Sequence, residues 1–485
     1  MTTGGKLIVE CLEAQGVDRV FCVPGESYLA VLDALFDSDI DVVNARHEGG
    51  AAMMAEADGK MTGRPGICMV TRGPGATNAA CGVHIAKQDS TPMILFVGQI
   101  GRRMRGREAF QEVDYRQTFG DLAKWVEEID HADRIPEVIN HAYHVAMSGR
   151  PGPVVLALPE DMLRDDADVT AGPRVHVASP APNPSDVTRF EEMLRQSAKP
   201  FLILGGSRWT PSDVDAVTRF AERTKMPVGC SFRRQHLFDH LHPNYAGDVG
   251  LGINPALQAR IAESDLVILL GARFSENPSQ NFSLLTYPKP RQALVHIHPG
   301  AEELGRIYTP DLSINATPGA FINAVNHMSR DASDDDVTTA HAAYLAWSNP
   351  PHHSETEGFA DQGVLIDQLR IHAPEAIMTN GAGNYAIWLH RFWRFRAFGS
   401  QVSPTSGSMG YGLPAAIAAK RRYLDKRVIC FAGDGCFQMT SQEFAAAAQL
   451  GVAVIVLVFD NGLYGTIRMH QERDYPGRVS ATGLA

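Results

Sequence analysis

The sequence predicts an α/β protein of three doubly wound, mostly parallel sheets, the last expected to be truncated. Three observations carry that prediction. Short β-rich runs alternate with helical stretches along the chain, a rhythm that implies parallel strands joined by helices. At 485 residues the chain is too long for one hydrophobic core, and its length suggests roughly three domains. Two passages poor in apolar residues, 164–186 and 330–358, separate three regions. The expected domains are therefore 1–165, 186–329 and 359–485, with 330–358 as a connector.

In the first region the strands are expected in "VDRVFCVP", "DVVNAR", "GICMVT", "PMILFVG" and "PVVLALP", with helices such as 48–62 and 76–87 between them. The second offers "PFLILGG", "MPVGCSF", "DLVILLGARF" and "ALVHIHPG" as strands. In the third, "RVICFAGDG" and "VAVIVLVFDNG" read as strands around the helical "TSQEFAAAAQLG". Thr440 and Glu443 have the spacing of a capping box, and Gly451 suits the helix end. Pro414 suits a helix start.

The composition narrows the function classes. The longest apolar run, 452–459, is far short of the ~20 residues of a membrane helix and is expected to be a buried strand. Polar residues interrupt the N-terminus before a signal-peptide core can form. A net charge of −11 argues against nucleic-acid binding. The seven cysteines form no CxxC pair and mostly sit in apolar runs, as in a reduced, cytoplasmic protein. "RHEGGA" (46–51) fails as an HExxH zinc motif, because Ala51 stands where the second histidine is needed. "GSMGYG" (407–412) fails as a dinucleotide fingerprint: its glycine order is reversed and the preceding segment is a poor strand.

The sharpest feature is Asp434, between two glycines at the end of an apolar run, with Asn461 at the end of the next. If both runs are parallel strands of one sheet, the two side chains emerge at the same carboxyl edge, where open α/β sheets bind ligands. One carboxylate and one amide oxygen suit a Mg²⁺ ion that also takes phosphate and water ligands. Gly433, Gly435 and Gly462 would let backbone groups approach the same ion.

The stretch 433–465 resembles the thiamine-diphosphate motif of the acetolactate synthase, pyruvate oxidase and benzoylformate decarboxylase superfamily. The resemblance extends over nearly the whole chain and is closest to acetolactate synthase large subunits. It implies a pyrimidine-binding first domain, a central domain and a diphosphate-binding third domain. Asp434, Asn461 and the carbonyl of Leu463 then hold Mg²⁺, with Asp460 where the family has its first asparagine. "ARHEGGAAMMAEADGKMTG" (45–63) resembles the stretch around the family's indispensable carboxylate, which matches Glu48; that group protonates and deprotonates the cofactor's aminopyrimidine. "TRGPGATNAACG" (71–82) resembles the turn against the pyrimidine ring, and Pro24, Gly25, Thr71, Pro74 and Asn78 are cofactor contacts by the same resemblance. "PTSGSMGYGLPAA" (404–416) supplies Gly407 and Met409, the apolar residue beneath the cofactor. "NGAGNYAIW" (380–388) matches the diphosphate loop, bringing in Asn384 and Tyr385; Gly433, Gly435, Cys436, Tyr464 and Gly465 complete the cofactor set. "REAFQE" (107–112) matches a loop whose Phe110 and Gln111 face the active site of a partner subunit.

The resemblance implies a homodimer or dimer of dimers with active sites at the subunit interface. It implies decarboxylation of a 2-keto acid, with pyruvate the expected donor, and ligation to a second 2-keto acid, as in branched-chain amino acid biosynthesis. A 2-keto acid decarboxylase, a flavin-linked pyruvate oxidase and a catalytically silent cofactor-binding protein are the alternatives. FAD is left open by "GARF" (271–274) and "AGDVGLG" (246–252), which stand where the family binds its flavin. Departures from the family include Arg102, Arg103, Arg105 and Arg107, read as a solvated loop or as recognition of an anion. His470 stands at the acceptor-choosing tryptophan. The family also continues beyond "SATGLA", with a lid segment.

Overall fold

The computed structural model describes residues 1–352 and 360–484. Residues 353–358 of the expected connector, and 359 and 485 of the expected third domain, lie outside them. The chain forms two compact units, residues 1–178 with 379–383 and 402–485, and residues 179–378 with 384–401. The first and last thirds of the sequence thus fold into one unit.

A six-stranded parallel sheet runs in the order Asp41–Asn44, Arg19–Cys22, Gly66–Val70, Met93–Gln99, Pro153–Pro159, Trp125–Glu128. Its three central strands are buried along their whole length. Helices on both faces shield a parallel sheet, so its strands read as continuous apolar runs rather than alternating ones. The helix expected over 48–62 is Glu48–Thr62, ended by Gly63 at φ 67°. The helix expected over 76–87 is Pro74–Asp89, with Pro74 in its first turn.

The second unit contains another six-stranded parallel sheet, ordered Tyr245–Val249, Val228–Ser231, Pro200–Leu204, Leu266–Leu270, Ala293–His298, Leu312–Asn315. Near the C-terminus, Val428–Gly433 lies between Ile377–Asn380 and Ile455–Phe459 in a four-stranded sheet. Val428–Gly433 and Ile455–Phe459 are parallel and in register from Ile429 opposite Ile455 to Gly433 opposite Phe459. That register places Asp434 and Asp460–Asn461 side by side at the carboxyl edge.

Two expectations are corrected here. The apolar run 452–459 is not buried: Ile455–Phe459 takes the outermost place in its sheet, leaving Ile455 47% and Val458 43% exposed. An apolar run specifies a strand but not how many neighbours cover it. Thr440 and Glu443 do not form a capping box. The helix Glu443–Leu450 has no side-chain cap, and Thr440 Oγ1 donates to Gly410 O. Gly451 does end this helix, at φ 63°. No disulfide joins the cysteines among the described residues, and six of the seven are buried. No helix among the described residues is long and apolar enough to cross a membrane.

Candidate active site

Asp434 is the first residue after its strand and is 9% exposed. Its Oδ1 accepts the Gly435 N–H at 2.8 Å, and its Oδ2 accepts the Asn461 N–H at 3.3 Å. Asn461 Oδ1 accepts the Leu463 N–H at 3.1 Å, and Asp460 Oδ1 the Gly462 N–H at 3.0 Å. Two loops from adjacent parallel strands are thus tied together by the Asp434 carboxylate accepting the Asn461 backbone N–H. Leu463 O accepts the Gly465 N–H at 2.8 Å, which leaves its second lone pair for a ligand. The donor set is oxygen throughout with one carboxylate, as Mg²⁺ shared with a diphosphate requires. Among the described residues there is no rival cluster of three His, Cys, Asp or Glu side chains.

Around this loop the backbone is packed closely enough to exclude side chains. A Cβ on Gly381 would stand 2.5 Å from Cys436 Sγ, and one on Gly435 would stand 2.6 Å from the Tyr464 ring. Cys436 Sγ also accepts the Gly410 N–H at 3.1 Å. Gly407, at φ 67°, faces open space, and Met409 beyond it is half-buried. The C-terminal members of the expected site are therefore neighbours. Asn384 and Tyr385, by contrast, open the 384–401 stretch of the second unit.

Glu48 begins its helix, and the His47 side chain caps that helix by accepting the Gly49 N–H at 3.0 Å. Glu48 Oε2 accepts from Asn78 Nδ2 at 2.9 Å. A Cβ on Gly75 would meet Thr71 Cγ2 at 2.8 Å and Glu48 Oε1 at 3.4 Å, and one on Gly25 would meet Thr71 Cβ at 2.4 Å. Gly25, Glu48, Thr71, Gly75 and Asn78 therefore converge, with Pro24 and Pro74 adjoining them in sequence. Gln111, at φ 65°, lies against Gly73, whereas Phe110 is 75% exposed.

Several supporting residues went unread in the sequence. Tyr115 OH accepts the buried Gly73 N–H at 2.9 Å and fixes the turn before Pro74. Ser27 and Thr71 hydroxyls bond at 2.8 Å behind Gly25. Glu56, fully buried, accepts from Thr91 Oγ1 at 2.6 Å and Tyr411 OH at 2.5 Å, and pairs with Lys60 at 3.2 Å. Burial pushes the Glu56 carboxyl above its usual range. Lys60 also donates to Ser403 O at 3.0 Å, and Asp89 accepts the Thr405 N–H at 2.7 Å. This network ties the Glu48 helix to the segment leading to Met409. The i, i+4 pair Glu56 and Lys60 on an otherwise small-residue helix was the one available signal.

The arginine loop is half accounted for by ion pairs. Arg102 pairs with Asp161 at 3.1 Å and Asp165 at 2.7 Å, and Arg105 pairs with Asp130 and Glu128. Those two guanidinium groups are engaged by carboxylates of their own unit. Arg103 and Arg107 are exposed. His470, on the exposed helix Gly465–Asp474, takes a hydrogen bond from Arg473 at 2.9 Å.

At the carboxyl edge of the central sheet the turns pack closely together. A Cβ on Gly206 would lie 2.0 Å from Gly271 O, so the turns after Pro200–Leu204 and Leu266–Leu270 are already in contact. Arg234, 7% exposed, donates to Gly206 O at 2.8 Å, and Phe232, Arg233 and Phe274 are buried beside these strand ends.

Two sheet regions in one unit, one carrying the Asp434 carboxylate tied to Asn461 at its carboxyl edge and the other a partly exposed glutamate held by an amide, define a cofactor-dependent α/β enzyme. Residues 2–118 match the family described as thiamine pyrophosphate enzyme, N-terminal TPP binding domain. Residues 187–325 match its central domain and 381–484 its C-terminal TPP binding domain. The chain is 32% identical to acetolactate synthase of Mycobacterium bovis, covering 100% of this chain and 80% of that one. It is 30% identical to the acetolactate synthase large subunit of Lactococcus lactis, covering 99% and 84%. It is 29% identical to the acetolactate synthase isozyme 2 large subunit of Escherichia coli, covering 99% and 87%. The chain belongs to the acetolactate synthase family of thiamine-pyrophosphate-dependent enzymes.

Proposed function

We propose that this chain decarboxylates a 2-keto acid, with pyruvate the favoured donor, and ligates the resulting two-carbon unit to a second 2-keto acid, in branched-chain amino acid biosynthesis. Bound thiamine diphosphate supplies the electron sink that carboligation needs. Asp434, Asn461 and the Leu463 carbonyl are the groups to hold Mg²⁺. Gly407, Gly433, Gly435, Cys436, Tyr464 and Gly465, with Asn384 and Tyr385, are the groups to hold the diphosphate end, and Met409 to support the cofactor between its two rings. Pro24, Gly25, Thr71, Pro74 and Asn78 form the pyrimidine side. Glu48, with Oε2 held by Asn78, keeps Oε1 to exchange a proton with N1′ of the aminopyrimidine. Proton transfer between fixed partners depends first on geometry, and the Asn78 contact supplies that constraint.

The observation that carries the proposal is the tie between Asp434 and Asn461 at the carboxyl edge. The exposed Phe110 beside Gln111 supports an assembly in which both reach a partner subunit's site, making a homodimer the smallest competent unit. The test is incubation with thiamine diphosphate, Mg²⁺ and pyruvate, with acetolactate, acetaldehyde and oxygen uptake measured together. Acetolactate is expected. Acetaldehyde alone, or oxygen uptake, would replace the carboligase with a decarboxylase or an oxidase.

A further inference from the structure

Glu443 begins the helix Glu443–Leu450 and is 0% exposed. Its carboxylate reaches back across the unit instead of capping its own helix. It accepts the Arg46 N–H through both oxygens, at 3.2 and 3.1 Å. The Arg46 guanidinium completes a clamp, donating to Ala445 O at 3.4 Å and Gln449 Oε1 at 2.5 Å on the same helix. On the other side of the turn, a Cβ on Gly50 would lie 2.4 Å from Glu443 Oε1. The second residue before Glu48 and the second residue after it are therefore both set against one buried carboxylate.

A buried carboxylate is costly unless its oxygens are satisfied. Holding a helix against a turn would need only an apolar side chain there. A two-oxygen hydrogen bond to the Arg46 N–H, with Gly50 packed against the same carboxylate, does more: it fixes the turn on both sides of the residue between them, Glu48.

We infer that Glu443 is a positioning residue for the reaction, aligning the turn so that Glu48 presents its carboxylate to the cofactor. The inference rests on the proposed role of Glu48. Its readout is the rate at which the C2 hydrogen of bound thiamine diphosphate exchanges with deuterium, which depends on neither donor nor acceptor. That rate is measured by NMR in the full-length protein with Mg²⁺, alongside cofactor Kd by calorimetry and thermal unfolding without cofactor. Glu443→Asp withdraws the carboxylate by one methylene, Glu443→Gln keeps an acceptor oxygen at full reach, and Gly50→Ala pushes on the same oxygen from the opposite side. Misplacing a reacting group by about 1 Å can cost about a hundredfold, so Glu443→Asp and Gly50→Ala are expected to slow exchange by about tenfold or more. In both, cofactor Kd changes by less than about threefold, about 0.6 kcal/mol. Glu443→Gln recovers most of the rate.

Exchange at the parent rate in Glu443→Asp, with Glu48→Gln slow, would overturn the positioning role alone. Parent-rate exchange in Glu48→Gln would remove the proposed role of Glu48 and this inference with it. Loss of folding, affinity and exchange together in Glu443→Asp, Glu443→Gln and Gly50→Ala would reduce Glu443 to a structural contact and also overturn the inference.

Discussion

Replacing Gly381 with alanine puts a methyl group 2.5 Å from Cys436 Sγ, 3.2 Å from Ser408 O and 3.3 Å from Gly410 N. The sulfur contact is about 1 Å short of ordinary van der Waals separation, in a region where packing leaves little slack. Cys436 cannot simply rotate away, because its sulfur also accepts the Gly410 N–H at 3.1 Å. The strain therefore passes to the Gly435–Cys436 backbone, beside the Gly435 N–H that Asp434 Oδ1 accepts. Overpacking of this size costs about 1–3 kcal/mol. If the bound form bears that strain, the Kd for thiamine diphosphate with Mg²⁺ rises by about 5- to 150-fold. Isothermal titration of Gly381→Ala, Cys436→Ala and the double variant separates the causes. Removing the sulfur relieves the 2.5 Å contact, so the double variant is expected to bind better than Gly381→Ala, with a coupling energy of about 1 kcal/mol or more. Parent affinity in Gly381→Ala, or no recovery in the double variant, would refute the argument.

Asp434→Ala removes the only carboxylate of the proposed cation site and is expected to abolish Mg²⁺-dependent cofactor binding, read by the same titration. Glu48→Gln keeps Asn78 as a neighbour and is expected to bind the cofactor while losing turnover, read by binding and acetolactate formation together. Tyr115→Phe strips the buried Gly73 N–H of its acceptor and should cost about 1–3 kcal/mol in denaturant unfolding. Burial holds the His240 imidazole down to about 3 from its ordinary 6.5, and both ring nitrogens are bonded, to Tyr344 OH and Gln235 O. Its folded pKa lies below the unfolded one, so its stability contribution is complete above pH 6.5 and falls as the pH drops towards 3. At pH 5 the loss is about 2 kcal/mol, and a pH series of unfolding midpoints that stays flat between 7 and 5 would contradict it.

Much of the fold was legible because parallel sheets demand uniform burial. Gly66–Val70, Met93–Gln99 and Pro153–Pro159 are buried throughout, and their sequences are almost wholly apolar. The ends of the Glu48 helix were also legible, since Gly63 adopts the left-handed conformation glycine favours. The outermost position of Ile455–Phe459 was not, because strand propensity carries no information about neighbours. The pairing of Arg102 and Arg105 was hidden for a related reason. Their carboxylates lie 23 to 63 residues further along the chain, at Glu128, Asp130, Asp161 and Asp165.

The site divides along the same line. Asp434 and Asn461 could be read because each follows an apolar strand and the strands are sequential, so one parallel register suffices to bring them together. Glu443 could not, since its nearest sequence partner, Thr440, offered a local capping box and the structure chose a partner 397 residues away. The difference is energetic. An exposed cap satisfies N–H groups that water would otherwise reach, and contributes only about 0.5–2 kcal/mol. Drawing Glu443 into the interior leaves its charge no solvent, so it must find a donor wherever the fold brings one, and the Arg46 N–H serves both of its oxygens. Gly50 is the sequence trace of that arrangement: it is a glycine within the first turn of a helix, where a Cβ would collide with Glu443. On the inferred role of Glu443, that glycine is where the sequence records the contact that would align Glu48.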